Sequence, residues 1–127
     1  MWQFFRKERK PWLLAEDLAA RHLKKRGYAI LHRNLWLDRF ELDIVAQKGD
    51  TVVFAEVRSR SDASSTAPQE TIQQTKRRHL REAARRYISR YGEGDCYYRF
   101  DVIAIVMPPG EKPVVTHFEN AFGMEEW

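Results

Sequence analysis

The 127-residue chain holds one cysteine, Cys96. An internal disulfide is therefore excluded, and with no Cys pair a structural zinc motif is excluded too. No apolar run approaches the ~18 residues that a membrane span needs. Met1 to Trp12 is basic and aromatic, with neither an apolar h-region nor a small-residue cleavage site, so no secretory signal is expected. No internal repeat or low-complexity tract is visible. The expected setting is reducing and cytoplasmic, with no membrane partner.

What is present suffices for one core: 43% hydrophobic and 13% aromatic residues beside 31% charged ones. We expect a basic aromatic tail over residues 1–11, a single domain over 12–122 and a short C-terminal tail over 123–127. The net charge of +4 says little, but its distribution says more. Between Lys76 and Arg90 lie Lys76, Arg77, Arg78, Arg81, Arg85, Arg86 and Arg90 against Glu82 alone. Such a stretch is either a solvated helix face or a ridge that contacts phosphates.

Ala15, Leu18, Ala19, His22 and Leu23 recur at helical spacing, which predicts an amphipathic helix from Trp12 to Arg26, ended by Gly27. Strands are predicted over Tyr28–Arg33, Leu35–Gln47 and Thr51–Arg58, with Lys48-Gly49-Asp50 as a turn. Thr66 and Gln69 fit a capping box with Pro68 in the first turn, opening a second helix that runs to about Tyr91. The most apolar strand, Tyr98–Met107, is expected at the centre of the sheet, and Lys112–Phe118 is the last strand. The order αβββαββ, a meander followed by a helical crossover, implies an α/β fold with a mixed sheet of about five strands flanked by two main helices.

Several charges sit where a plain core would not place them. If Gly49-Asp50 is a two-residue type II′ loop, Lys48 opposes Thr51, and the same register sets Asp43 opposite Glu56 and Glu41 opposite Arg58. Glu41 and Arg58 read as a cross-strand ion pair or as part of a site. Asp43 facing Glu56 is destabilising unless one carboxyl is protonated or a cation lies between them. A hard divalent ion such as Mg²⁺ suits two carboxylates. The alternatives are two exposed acids on an edge hairpin, or a bulge that shifts the register. Glu16 lies on or beside the packing stripe of the first helix, either as a boundary residue or as a ligand or water-positioning group. Lys76 sits midway between Ile72 and Leu80 on the second helix's apolar stripe, either snorkelling outward or meeting an acid or a phosphate.

Asp43, twelve intervening residues and then Glu56-Val57-Arg58 resemble the PD-(D/E)xK nuclease signature. The chain also resembles the YraN-like family of bacterial proteins, which has a restriction-endonuclease-like fold. The matching segments include Ala15-Glu16, Leu31-His32-Arg33-Asn34, Glu41-Leu42-Asp43-Ile44-Val45-Ala46 and Val53-Phe54-Ala55-Glu56-Val57-Arg58. Lys76-Arg77, Arg99-Phe100-Asp101-Val102-Ile103 and His117-Phe118-Glu119-Asn120-Ala121-Phe122 continue the match. The chain departs from the family's pattern at Ala15 and Phe40, where glycine is usual, and at Arg58, where lysine is usual.

The resemblance implies a metal-dependent endonuclease acting on DNA. Asp43, Glu56 and the backbone carbonyl of Val57 would hold Mg²⁺ or Mn²⁺, and Glu16 would bind a second ion or orient water. Arg58 and Lys76 would grip the scissile phosphate, and Arg77, Arg81 and Arg85 would hold the flanking backbone. No base-reading motif is visible, so DNA shape, branched or single-stranded, is the expected target. Arg58 favours the rival reading, a catalytically weak or inactive nucleic-acid-binding module, because arginine cannot act as a general base. A third reading is a homodimer or a subunit of a DNA-processing assembly that docks through Trp2, Phe4, Phe5, Trp12 and Trp127.

Overall fold

The computed structural model describes residues 11–61, 72–92 and 94–125. The proposed tail over 1–11, the aromatic docking points and the Thr66–Gln69 capping box fall largely or wholly outside these residues. The elements run α1 (Pro11–Lys25), β1 (Ala29–Leu37), β2 (Phe40–Lys48), β3 (Thr51–Arg60), α2 (Gln74–Tyr91), β4 (Tyr97–Val106) and β5 (Val114–Phe122). This is the expected order αβββαββ, a five-stranded mixed sheet with two helices, compatible with a restriction-endonuclease-like fold.

Helix α1 buries Ala15, Ala19 and Leu23, one apolar stripe at i, i+4 and i+8. It ends as Gly27 predicts. Gly27 takes φ +92°, its N–H donates to the Lys24 carbonyl at 3.0 Å, and the Tyr28 N–H donates to the Leu23 carbonyl at 3.0 Å. That pair of bonds is a Schellman cap.

Residues Leu35–Leu37 belong to β1 and not to the second strand, because Asp38-Arg39 forms a turn that pairs Leu37 with Phe40. Asp38 enters the left-handed region at φ +58°, which aspartate tolerates without a glycine to mark it. The next turn follows the expected register, with Gly49 at φ +60° and Lys48 opposite Thr51. Helix α2 begins at Gln74, later than the capping box implies, and the Gln73 side chain makes no capping bond. Ile72 is buried ahead of the helix, so Lys76 lies in the first turn and not midway along a stripe.

The strand order is β1-β2-β3-β4-β5, antiparallel except for the parallel pair β3 and β4, which α2 connects. The middle strand is therefore β3; β4 is interior but off centre. Apolar residues fill both faces. Ile44, Ala46, Val53, Ala55, Ile103 and Ile105 pack with α1 on one side, while Leu42, Phe54, Phe100 and Val102 pack with α2 on the other. No helix among the described residues is long and apolar enough to cross a membrane.

Candidate functional site

The site arises where two neighbouring strands turn over together. In a regular strand residues i and i+2 share a face. Yet Leu42 packs in the α2-side core while Ile44 packs in the α1-side core. On β1, Arg33 reaches Asp17 of α1, whereas Leu35 packs on the α2 side. The two reversals lie opposite each other, because Asn34 and Asp43 fall between the pairs Arg33↔Ile44 and Leu35↔Leu42. Asn34 achieves its reversal with φ +51°, a region asparagine tolerates better than most residues.

At this point β2 leaves β3. The regular pairing runs from Lys48↔Thr51 to Ile44↔Ala55 and ends there. The next hydrogen-bonded pair in the series would be Leu42 with Val57. Instead the Val57 N–H donates to Asp43 Oδ2 at 3.0 Å, so a carboxylate takes the place of a ladder carbonyl. A strand residue points its N–H and C=O to the same side, so the Val57 carbonyl faces the same gap.

The gap collects carboxylates. Glu56 is 7% exposed, lies beside Asp43, and has its Oε2 3.5 Å from Lys76 Nζ. Burial, then the Asp43 charge, pushes its pKa up to about 8 against the opposing pull of Lys76 and Arg58. Its other oxygen, Oε1, is buried with no donor to it, and the carboxyl faces that of Asp43, a contact that favours the protonated form. Glu16 is also 7% exposed and accepts a hydrogen bond from Asn34 Nδ2 at 2.8 Å. Burial raises its pKa, and so do the charges of Asp43 and Glu41, while Asn34 and Arg33 oppose. Glu41 is raised by burial and by Asp43.

Glu16, Glu41, Asp43 and Glu56 thus share one electrostatic field. Glu16, Asp43 and Glu56 do not close to within 4.8 Å as a three-ligand cluster; among the described residues that grouping is Asp101, His117 and Glu119. That second grouping already holds a cation, because Arg99 bonds both oxygens of Asp101 at 2.8 and 2.9 Å and lies 3.6 Å from Glu119. Among the described residues no Glu41–Arg58 ion pair forms, since the β2–β3 register stops before it; Arg58 acts on Glu56 through its charge.

The arginine ridge on α2 is not an exposed ridge. Arg81 is 1% exposed, donates from Nε to the Gly123 carbonyl at 2.9 Å, and stacks on Phe122 with Arg77. The reason is its position: Arg81 is three residues before Ala84 on the face turned toward the sheet, so helix geometry overrides the usual exposure of arginine. Arg85 is bound to Glu82 at 2.8 Å. Sequence reasoning leaves Glu41 either an ion-pair partner or part of a site, and gives no role to Asn34 or Arg33. Asparagine inside a strand, a frequent left-handed residue, is the signal that was available for Asn34.

A model of the uncharacterised protein family UPF0102 matches residues 15–105. The chain belongs to this family, the YraN-like proteins. A UPF0102 protein from Caldicellulosiruptor saccharolyticus is 44% identical over 92 residues, 72% of this chain and 78% of that relative. One from Geobacter sulfurreducens is 41% identical over 107 residues, 84% of each chain. The UPF0102 match spans Glu16, Asn34, Asp43, Glu56 and Lys76, and so the whole acidic gap.

Proposed function

We propose that this UPF0102 protein is a metal-dependent nuclease that hydrolyses phosphodiester bonds in DNA, recognising structure and not sequence. The observation that carries the reading is Glu56: a buried acid set against a second acid, a pair that needs either a shared proton or a cation. Setting a buried carboxyl against a second one costs stability, and a structural role does not need it. The donor set is all hard oxygen, which fits Mg²⁺ or Mn²⁺. Asp43, Glu56 and the Val57 carbonyl would hold the ion. When bound, it would supply positive charge that offsets the charge developing on phosphorus.

The protein's own groups do the rest. Asn34 fixes Glu16 at the margin of the gap, where its carboxyl orients a water molecule. Lys76 and Arg58 place two cations against the phosphate. Lys76, not Arg58, is the cation within ion-pair distance of Glu56, so α2 supplies the lysine that position 58 lacks.

Cleavage of duplex, single-stranded and four-way-junction DNA with Mg²⁺ or Mn²⁺ tests this. Wild type should cleave at least one form, and Asp43→Asn should abolish cleavage and weaken Mn²⁺ binding about tenfold or more. The second reading, a binding module, rests on Arg58, which is always charged and cannot accept a proton. Silence from wild type and from Arg58→Lys across metals and DNA forms, with DNA binding intact, would select it.

A further inference from the structure

We propose that the C-terminal turn of α1, with Lys48 beside it, is the surface that holds the phosphate backbone of the nucleic acid. The inference rests on the reading of the protein as one that acts on DNA, and names the surface that reading requires. Arg21, Lys24, Lys25 and Arg26 are all exposed, and among the described residues none has an acidic partner. Arg21, Lys24 and Lys25 stand at i, i+3 and i+4, so they project from one face. Like charges at that spacing repel.

Two structural reasons for such a cluster do not apply. Basic residues at a helix end often bond its last carbonyls, but here the Schellman cap satisfies those of Leu23 and Lys24, and the Arg26 N–H takes that of His22 at 3.2 Å. Nor do these residues belong to the packing stripe, which is Ala15, Ala19 and Leu23. A fifth cation comes from the β2–β3 turn. The Lys48 stem runs over Gly27, 3.4 Å from where a Cβ would stand, and its Nζ lies 5.6 Å from the Tyr28 ring centre. Gly27 both caps the helix and leaves room for Lys48.

Helix α2, richer in arginine, has most of its cations engaged within the protein. Arg85 and Arg86 are held by Glu82 and Asp38, Lys76 lies 3.5 Å from Glu56, Arg77 lies over the Phe122 ring, Arg78 is engaged, Arg81 is buried, and Arg90 at the far end is exposed. The distance from the acids is also suitable. Glu16 and Lys25 are nine positions apart on α1, roughly 14 Å along its axis. A duplex strand advances 3.4 Å per nucleotide, so the turn meets phosphates about four nucleotides from the gap.

The test measures binding of the full chain to a fluorescent DNA duplex, by anisotropy in EDTA over a range of salt. Each phosphate neutralised contributes roughly −0.9 to the slope of log affinity against log salt. Replacing Arg21, Lys24, Lys25 and Arg26 together by glutamine should flatten that slope by about two to four, while Arg85→Gln with Arg86→Gln changes it by less than about one. A variant with Arg21→Lys and Arg26→Lys should keep the wild-type slope, and melting curves check that each variant is folded. An unchanged slope in the folded α1 variant, an equal loss in the α2 variant, or no binding by wild type overturns the proposal. Cleavage is scored separately. A flattened slope without nuclease activity leaves this surface standing and removes the nuclease reading; cleavage with an unchanged slope does the reverse.

Discussion

Glu56 and Asp101 are buried acids on adjacent parallel strands, one register step apart and on opposite faces of the sheet. Their surroundings could hardly differ more. Asp101, 0% exposed, is bonded by Arg99 through two nitrogens, by His117 Nε2 at 2.7 Å and by the Asn120 N–H at 3.0 Å. Burial would raise its pKa, but His117, Arg99 and Asn120 together hold it below the ordinary value. Glu56 has a partly exposed lysine near one oxygen, and its carboxyl otherwise faces that of Asp43. The first is a charge fully paired by the fold; the second is an acid held protonated up to about pH 8 beside a second acid. Burial of an acid is therefore not the mark of a site in this molecule. An acid set against a second acid is.

The most severe way to break this comparison is to remove each acid in turn. Asp101→Ala leaves Arg99 and His117 without their partner and should cost about 3–5 kcal/mol in urea unfolding. Glu56→Gln should cost little above neutral pH. Equal losses would erase the distinction. A smaller effect, of a few kcal/mol, is expected from pH. Glu56 has its folded-state pKa raised to about 8, so it binds its proton more tightly folded than unfolded. The stability linked to that proton is complete below the unfolded value near 4.5 and is lost as pH rises through about 8. Asp101 behaves oppositely: its contribution is present above 3.8 and is lost as pH falls through its depressed folded value. Unfolding of wild type and Glu56→Gln from about pH 5 to pH 9 should show the gap between them shifting in favour of the variant. Parallel curves would mean that Glu56 is ionised without strain. The smallest effect belongs to Asn34. Asn34→Ala loses the bond to Glu16 and is strained at φ +51°, for about 1–2 kcal/mol, whereas Asn34→Gly loses only the bond. Equal stabilities for the two variants would show that the left-handed turn is not under strain.

Much of this architecture can be read from residue pattern. The apolar, β-branched run along Thr51–Arg58, the Gly49-Asp50 loop and the Gly27 stop depend on local backbone preferences, and the structure follows them. The pairing that brings Asp43 toward Glu56 comes from the same loop. What pattern could not convey is where the ladder gives way. Extending the register past Ile44 makes Asp43 and Glu56 a formal cross-strand pair, whereas Asp43 in fact bonds the backbone of Val57. Asp38-Arg39 was illegible for a related reason, since no glycine announces it. Arg81 misleads because composition speaks for exposure while its helical phase speaks for burial, and phase prevails.

The coordinated reversal at Asn34 and Asp43 also has a bearing on strand slippage. A strand that serves one core can slide by two residues and still bury its apolar side chains. Strand β2 serves both cores, with Phe40 and Leu42 committed to one and Ile44 and Ala46 to the other. A slide of two residues would bring Asp43 or Gln47 to the fully buried position of Val45, so no neighbouring register competes. The two acids therefore cannot relieve their repulsion by creeping apart along the hairpin. Their separation is dictated by the apolar side chains above and below them, which hold the pair in place whether or not a cation is bound.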